Sequence, residues 1–462
     1  MKNYSHQETF GSVLLFIRSK SFKIRSVIVI FGSLLLFGAF PYFSGQGPGL
    51  TLQDHGTIGP YANLAFPDEA NIDLSISHRI AYPNLIFNSP IVFKTVPNQN
   101  RIILAQLDGE IYWFDDDEAT LTKNLLVDLK SDVGIVHDGG FLGLALHPDF
   151  NAAINPKNYI YVYYTSKNSA GQNSPPVGSH TGQGCTWSED RNEYQGNSLI
   201  LERFEVNPTD LSFITGSRLN LFDIRMYGTT HYGGGMDFGD DGFLYLTIGD
   251  QASWRRAQDI TDNLNGGALR LDVDKDPTKS HAPIRKKQDV GYAGESSGIN
   301  YWIPNDNPFL SPDGSRYEEY YSVGLRNPFR MTKDRVTGEF YIGDVGLSSH
   351  EEVNVLKKGA NYGWPIYEGF GFRDTNCATM LDGMPHEKPL TEFSRNDARA
   401  LAGGFVYRGS AIPDIYGKYV CADYTRNGIF TVNTISGDYE QVSILQNVIS
   451  FGEDNDGELY LL

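Results

Sequence analysis

A histidine followed by a run of glycines is the first feature of this sequence that points to chemistry. His231 opens the stretch HYGGGMDFGDDGFLYLTIGD, which ends at Asp250. A neutral imidazole can accept a proton near neutral pH, and glycines without side chains let a flat ligand approach the backbone closely. The ring could instead be an ordinary buried side chain, as a lone histidine more often is. This stretch alone leaves both interpretations open.

Three further segments carry polar side chains beside glycine or proline turns. Arg326 and Asn327 stand together in GLRNPFRM, and an arginine offers a rigid donor fork that matches carboxylate or quinone oxygens. Asp138 precedes a glycine pair in HDGGFLGLALHPDF. Asp344 and the backbone carbonyls near Gly346 are candidate Ca²⁺ ligands, because this hard cation takes oxygen ligands. All of these residues could equally be structural caps or ties between loops.

Several function classes are disfavoured by motif and charge. No GxxxxGK[ST] or HExxH string occurs, which argues against P-loop enzymes and zincin proteases. The glycine-rich strings have no strand-turn-helix context of the Rossmann type, so they do not indicate nucleotide binding. The formal net charge is −18, and an acidic surface repels phosphate backbones. We therefore expect no nucleic-acid partner.

Short strands are the elements that must position these residues. A glycine-containing turn followed by an alternating, aromatic-rich strand recurs at 107–114, 240–250, 337–345 and 456–462. Further strands are predicted at 158–165, 197–206, 403–409 and 417–424. Many short strands with a degenerate repeat indicate an all-β assembly. At four strands per blade, residues 81–462 would form a six-bladed β-propeller, with a large β-sandwich or a pair of sandwiches as the alternative.

The N-terminal part differs in composition from the repeated part. Residues 1–25 carry five basic groups and one acidic group, and Ser26–Phe43 is uncharged. We predict a basic cytoplasmic segment and a hydrophobic signal peptide or signal-anchor helix within 1–43, then a linker over 44–80. The propeller would be exported, to the periplasm or the outside of the cell. If residues 26–43 are not cleaved, they would tether it to the membrane.

Taken together, the motifs resemble the glucose/sorbosone dehydrogenase family, which includes soluble aldose sugar dehydrogenases that depend on pyrroloquinoline quinone (PQQ). The matching strings follow the family order: DGGFLGLALHPDF, HYGGGMDFGDDGFLYLTIGD, IPNDNPF, GLRNPFRM, GDVGLSSHEEVN, GANYGWP, GGFVYRGSAIPDIYGKYVCADY and SFGEDNDGELYLL. The resemblance implies a six-bladed propeller with PQQ over its central opening and Ca²⁺ bridging PQQ to the protein. It also implies oxidation of a sugar at C1 to a lactone, with an external electron acceptor such as a quinone or a cytochrome.

The resemblance also implies roles for individual residues. His231 matches the family's general base, and Arg326 matches the arginine that stabilises negative charge on the quinone oxygen. Arg426 would pair with a carboxylate of PQQ, and backbone oxygens of Gly346 and Leu347 would bind Ca²⁺. The set expected to contact the cofactor is Asp138, Thr230, His231, Arg326, Asn327 and Arg426.

Two positions depart from the family pattern. Thr230 stands where well-characterised relatives carry an acidic residue, so the base would lack that carboxylate's help in holding one tautomer. Asp138 falls near the position of a glutamine that contacts PQQ.

The family also includes Hedgehog-interacting-protein-like members, some of which are not known to oxidise sugars. A non-catalytic binding propeller is therefore the alternative function. A Ca²⁺-dependent lactonase is a third, for which the motifs supply no obvious set of ligands.

Overall fold

All of the strand segments expected from the sequence form β-strands in this computed structural model. A representative turn is DDG, where Gly242 has φ +84°, a conformation open to glycine but costly for other residues. The strand after it is rich in aromatic and β-branched residues, which suit a pleated sheet. The structure describes residues 15–19, 76–168, 170–173, 197–226, 228, 230–261, 264–284, 300–373 and 378–462.

The described strands form five blades, each a four-stranded antiparallel sheet that pairs in chain order, preceded by β1 (Leu15–Ser19) and β2 (Ile76–Ile80). Blade 1 contains β3 (Pro90–Thr95), β4 (Arg101–Gln106), β5 (Glu110–Asp115) and β6 (Asn124–Asp128). Blade 2 contains β7 (Phe141–Leu146), β8 (Tyr159–Thr165), β9 (Ser198–Glu205) and β10 (Leu219–Arg225).

The remaining blades include two small hairpins. Blade 3 contains β11 (Met236–Phe238), β12 (Leu244–Ile248), β13 (Gly267–Leu271), the hairpin β14 (Ser280–His281) and β15 (Ile303–Pro304), and then β16 (Tyr320–Val323). Blade 4 contains β17 (Pro328–Lys333), β18 (Phe340–Asp344), β19 (His350–Val355), the hairpin β20 (Tyr367–Glu368) and β21 (Gly371–Phe372), and then β22 (Thr391–Ser394). Blade 5 contains β23 (Leu401–Val406), β24 (Lys418–Asp423), β25 (Gly428–Asn433) and β26 (Tyr439–Ile444). Three short 3₁₀ helices are described, at Trp254–Gln258, Leu381–Gly383 and Pro413–Ile415.

One sheet is built from both ends of the chain, and we call it the closing sheet. In it β27 (Phe451–Glu453) pairs with β28 (Leu459–Leu461), β28 pairs with β1, and β1 pairs with β2. The prediction of a six-bladed propeller is therefore wrong, because the described strands form five blades of consecutive strands, and Leu15–Ser19, which was expected to belong to a cytoplasmic segment, is a strand of the closing sheet. Alternation within a segment cannot reveal a pairing partner more than 400 residues away in the chain.

The predicted signal or anchor segment, residues 26–43, lies outside the described residues, as does most of the predicted linker. Within the part of the chain that the structure describes, no helix is both long enough and apolar enough to cross a membrane.

The blades pack face to face, which buries both faces of their inner strands. Every residue of β12 and β18 is buried, although a strand exposed on one face would alternate. Tyr161 of blade 2 and Leu246 of blade 3 belong to one hydrophobic cluster, and Tyr245 of blade 3 and Met331 of blade 4 belong to the next. Full burial of such a side chain contributes about 2 kcal/mol relative to exposure. This packing fixes the ends of the strands, and with them the loops that carry the polar residues.

An arginine fills the axis around which the blades are arranged. Arg330 is fully buried; its Nε donates to Ser450 Oγ at 3.0 Å, and its Nη1 donates to the backbone oxygen of Leu142 at 3.1 Å. A third contact reaches the backbone oxygen of Ile91 at 3.4 Å. Burial lowers the pKa of Arg330 to about 9. The residue ties blades 1, 2 and 4 and the closing sheet together, so the axis is not an open channel at this depth.

Candidate active site

His231 lies in the loop that leads into β11, at one end of blade 3. Its backbone has φ +65°, and its N–H donates to Asp138 Oδ2 at 2.8 Å. A non-glycine residue at positive φ carries strain that its contacts must hold in place. The imidazole is buried apart from 6% of its surface, and its Nδ1 lies 2.7 Å from Asp250 Oδ1. The backbone and the ring are therefore both fixed by carboxylates.

Asp250 follows β12 of the same blade and is completely buried. Its Oδ2 accepts a hydrogen bond from Trp364 Nε1 at 2.7 Å, and its Oδ1 also accepts one from the backbone N–H of Ala252 at 2.7 Å. Burial alone would raise the pKa of Asp250, but His231 and Arg326 outweigh it, and the net shift is downward. An ionised carboxylate is an acceptor only, so it selects the tautomer with the proton on His231 Nδ1. The Nε2 of His231 then carries the lone pair.

This arrangement corrects the expectation that followed from Thr230. Thr230 itself is partly exposed and stands directly before His231. The carboxylate that the base was expected to lack is supplied by Asp250, 19 residues further along the chain. The departure at Thr230 therefore leaves the imidazole with an anionic partner on its Nδ1 side.

In the other blades, the residue equivalent to Asp250 has a structural role. There the residue that ends the second strand caps backbone N–H groups in the loop leading into the first strand of its own blade. Asp344 does this for Arg326 and Asn327, at 3.0 and 2.6 Å. The residues with this role are Gln106, Thr165, Asp344 and Asp423. In blade 3 the carboxylate binds the imidazole of that loop instead, which is the contact that an orienting group in a catalytic dyad makes.

Asp138 and Asn327 hold the other side of the His231 loop. Asn327 Nδ2 donates to Asp138 Oδ2 at 3.2 Å, and Asn327 Oδ1 accepts from the backbone N–H of Gly233 at 3.2 Å. Asp138 Oδ1 is buried and has no hydrogen-bond partner among the described residues. Burial raises the pKa of Asp138, although the His231 charge and backbone N–H oppose this. The orphaned oxygen is a polar atom that a ligand could satisfy.

Arg326 brings positive charge to the same cluster. Its Nη1 donates to the backbone oxygen of Val345 at 2.7 Å, and its guanidinium carbon lies 5.4 Å from the centroid of a Trp364 ring. Burial lowers the pKa of Arg326, and the negative charges of Asp250 and Asp344 act against that shift. An arginine still carries its charge at neutral pH in such a setting. Trp364 therefore contacts both the partner of the base and the arginine.

The predicted metal-binding carbonyls and Arg426 lie at the edge of this cluster. The backbone oxygen of Leu347, which follows Gly346, accepts a hydrogen bond from Arg395 Nη2 at 3.2 Å. Arg426 is exposed, and its Nη2 donates to the backbone oxygen of Arg395 at 3.2 Å. The structure thus brings together Asp138, Thr230, His231, Arg326 and Asn327, and Arg426 adjoins them through Arg395.

The glycines after His231 are explained by protein packing. A Cβ on Gly233 would lie 2.4 Å from the backbone oxygen of Thr247, and one on Gly235 would lie 2.2 Å from the backbone nitrogen of Met331. A Cβ on Gly234 would lie 3.0 Å from Arg330 Nη1. The space beside each Cα in the Cβ direction is filled by the chain. Close packing of neighbouring strands therefore accounts for these glycines, in place of the expected approach of a flat ligand.

A cavity of about 440 Å³ lies at the opposite end of the blades from His231, where it is bounded by the far ends of the first strands, including Lys94, Asp237 and Lys333. Its charged groups are paired within the protein: Lys94 Nζ lies 2.6 Å from Asp237 Oδ2, and Lys333 Nζ lies 2.7 Å from Asp240 Oδ1.

Comparison with known proteins identifies the family. Residues 87–293 and 300–462 match the family model described as Glucose / Sorbosone dehydrogenase. This chain belongs to the glucose/sorbosone dehydrogenase family.

Relatives within the glucose/sorbosone dehydrogenase family carry two kinds of name. The HIPL1 protein of Arabidopsis thaliana is 28% identical over 392 residues, which cover 73% of this chain and 53% of that protein. The aldose sugar dehydrogenase YliI of Escherichia coli (strain K12) is 28% identical over 334 residues, covering 70% of this chain and 72% of that one. This chain therefore spans about half the length of the Arabidopsis relative.

Solved structures support the propeller fold. The PQQ-bound aldose sugar dehydrogenase of Streptomyces coelicolor superposes with a TM-score of 0.54 at 18% identity, covering 83% of this chain and 95% of that chain. At such identity the likeness extends to the fold alone. Site residues must therefore be argued from this chain's own contacts, among which Asp250, Trp364 and Arg395 were not found by sequence reasoning.

Proposed function

We propose that this glucose/sorbosone dehydrogenase family member is a PQQ-dependent oxidoreductase that oxidises the C1 hydroxyl of aldose sugars to lactones. The observation that carries the proposal is the chain of hydrogen bonds from Trp364 through Asp250 to His231. It gives one imidazole a fixed tautomer at the end of a blade, and the guanidinium of Arg326 contacts the same Trp364. A ring that served packing alone would need neither a buried carboxylate nor a second donor behind that carboxylate.

His231 acts as the general base. Asp250 holds the proton on Nδ1, so Nε2 takes the proton from the C1 hydroxyl of the sugar. As that proton leaves, Asp250 stabilises the imidazolium that forms. PQQ, when bound, supplies the quinone carbon that accepts the hydride from C1. The two hydrogens lost by the sugar thus leave C1 and its oxygen as hydride and proton, and the product is a lactone.

The residues present fit a planar cofactor that carries carboxylates and quinone oxygens. Arg326 provides a guanidinium next to Trp364, close enough to lower the pKa of Asp250, for negative charge on a quinone oxygen. Asp138 Oδ1 is a buried acceptor that lacks a hydrogen-bond partner in the described part of the chain, so it would take a donor, such as a hydroxyl of the sugar, and not an oxygen of the quinone. Arg426 is exposed at the edge of the cluster, where it can meet a carboxylate.

Ca²⁺ does not fit the 345–347 loop as it is arranged here. Of the two oxygens expected to bind Ca²⁺, that of Leu347 accepts a hydrogen bond from Arg395, and the oxygen of Val345, which precedes the other expected ligand Gly346, accepts one from Arg326. No group of three or more His, Cys, Asp or Glu side chains within the described ranges could hold a metal ion. The reaction described above therefore includes no step that depends on calcium.

We further propose that an external quinone or cytochrome takes the electrons and that the protein is exported. Export rests on the composition of residues 1–43 alone, and it requires β1 (Leu15–Ser19) to lie on the same side of the membrane as β28, with which it pairs. Cell fractionation of the native host tests it: recovery outside the cytoplasm supports export, and recovery in the cytosol contradicts it.

Dye reduction tests the proposed activity. The purified protein is loaded with PQQ and mixed with a panel of aldoses, beside His231→Ala. We expect sugar-dependent dye reduction that requires PQQ and falls at least about a thousandfold in the variant. Similarity to the HIPL1 protein favours one alternative, a non-catalytic binding propeller. That alternative predicts no PQQ binding and no dye reduction.

A further inference from the structure

The loop at 345–350 is held by charged groups of the protein itself. Glu368 Oε1 accepts backbone N–H groups from Leu347, Ser348 and Ser349 at 2.8, 2.8 and 2.9 Å. Burial would raise the pKa of Glu368, but these N–H groups outweigh it and the net shift is downward. A row of backbone N–H groups around one oxygen is an anion-binding nest, and here a side chain of the same protein fills it.

The carbonyl side of the loop faces guanidinium groups. Arg326 Nη1 donates to the backbone oxygen of Val345 at 2.7 Å, and Arg395 Nη2 donates to that of Leu347 at 3.2 Å. The Nε of Arg373 lies 3.5 Å from Glu368 Oε2. Three cations therefore surround a loop of a few residues. A divalent metal ion at these carbonyls would lie within contact distance of like charge, which is unfavourable in a part-buried setting.

The neighbouring carboxylates are not directed at the loop carbonyls. Asp344 is used by the backbone N–H groups of Arg326 and Asn327. Glu351 accepts from Arg395 through Oε1 and from the backbone N–H of Leu401 through Oε2, at 3.0 Å for the latter. Since Ca²⁺ takes six to eight oxygen ligands, the loop as built offers it too few.

We infer that the guanidinium of Arg395, together with that of Arg326, supplies at this loop the positive charge that Ca²⁺ would supply to PQQ. The chain then binds PQQ without calcium. The inference rests on the proposed function, because it concerns how the same site holds the same cofactor. Arg395 is suited to the role, because its Nη2 donates to the backbone oxygen of Leu347, its Nη1 donates to Glu351 and to the backbone oxygen of Arg399, and 27% of its side chain is exposed. An arginine fork matches a carboxylate by shape as well as by charge.

Equilibrium binding of PQQ, followed by quenching of tryptophan fluorescence, tests the inference. The wild-type protein is titrated in excess EGTA and again in excess CaCl₂. We expect dissociation constants within about threefold of each other. Binding that appears only with CaCl₂, or that is more than about tenfold tighter with it, would overturn the calcium-independent site and leave the proposed function standing. Failure to bind PQQ under either condition would overturn both.

Variants assign the effect to Arg395. Arg395→Gln removes the charge, and we expect PQQ binding in EGTA to weaken at least about tenfold, with partial recovery in Arg395→Lys. Arg335→Gln is the matched control, because Arg335 also donates to backbone oxygens but contacts Asp454 and Asn455 at the opposite end of the blades. Unchanged binding by Arg395→Gln in EGTA would overturn the inference. If Arg395→Gln fails to fold, Arg395→Lys is compared with the wild type: weaker PQQ binding in EGTA supports the inference, and unchanged binding contradicts a role for the guanidinium fork.

Discussion

The Nδ1 of His231 lies 2.7 Å from Oδ1 of Asp250, and both residues belong to the loops at one end of blade 3. The imidazole is nearly buried and the carboxylate is completely buried. A substitution that removes this contact but keeps the approximate shape of the side chain distinguishes a role in orienting the base from a role in packing. The first two predictions use changes of this kind.

Asp250→Asn should lower turnover of the PQQ-loaded protein by about 10² to 10³-fold. The amide keeps the volume of the side chain but can donate to Nδ1, which favours the tautomer with the proton on Nε2. Steady-state kinetics with an aldose measure the change, and PQQ binding should stay within about threefold. Asp237→Asn at the opposite end of the same blade is the control and should turn over like the wild type. Equal activity of Asp250→Asn and the wild type would remove Asp250 from the mechanism.

Trp364→Phe should reduce turnover by roughly tenfold, which is the loss of one hydrogen bond to a charged group. Its Nε1 donates to Asp250 Oδ2 at 2.7 Å, so the variant loosens the carboxylate that orients the base. Trp254→Phe is a matched control, because Trp254 Nε1 has no hydrogen-bond partner in the described structure. Comparing the two kcat values checks the prediction; a larger loss in Trp254→Phe would contradict it.

Gly235→Ala should destabilise the protein by at least about 3 kcal/mol, because its Cβ would overlap the backbone nitrogen of Met331 in blade 4. Gly371→Ala is the control: the nearest atom to its Cβ would be 3.6 Å away, an ordinary contact. Urea unfolding monitored by circular dichroism gives both free energies of unfolding. If Gly235→Ala unfolds like the wild type, the glycine run serves a purpose other than strand packing.

The strand pattern was predictable because its causes are local. A glycine at positive φ followed by alternating apolar residues marks the turn and strand at Gly242 and at Gly457 alike. The closing sheet was not predictable in this way, since the partner of β28 comes from Leu15–Ser19. Because the hydrophobic run at 26–43 indicated export, the residues before it were assigned to a basic cytoplasmic segment, and no strand was predicted there.

The candidate base was predictable, but its partner was not recognised. His231 stood out by residue type, and Asp250 closed the same stretch. The repeat held the missing signal: the string IGD occurs at the end of a second strand twice, with Asp250 two residues after β12 and Asp344 as the last residue of β18. What differs between these aspartates is whether a histidine or a backbone N–H faces them, and only tertiary structure reveals that. Trp364 comes from another blade, so no spacing in the sequence connects it to Asp250.

Glu352→Gln should reduce the dependence of stability on pH. Burial, and then the charge of Asp344, raise the pKa of Glu352 to about 8 in the folded protein. The folded state therefore holds a proton that the unfolded state releases near pH 4.5, so this contribution to stability is full below about pH 4.5 and is lost as the pH rises through about 8.

Urea unfolding at about pH 6 and about pH 8.5 measures this effect. The wild type should lose about 2 kcal/mol more than Glu352→Gln between the two values, since glutamine mimics the protonated acid. Glu440→Gln on the exposed face of β26 is the control and should follow the wild type. Identical pH dependence in Glu352→Gln and the wild type would contradict the prediction.

Direct reduction of bound PQQ by sugar is the measurement that tests the central claim. The PQQ-loaded protein is mixed anaerobically with an aldose, without dye, and the quinone absorbance is followed in a stopped-flow instrument. The proposed function predicts rapid loss of the quinone absorbance in the wild type and a rate lower by at least about a thousandfold in His231→Ala, with PQQ still bound. Bound PQQ that no aldose reduces, or reduction at the same rate in both proteins, would contradict the role of His231 as the base of a sugar dehydrogenase.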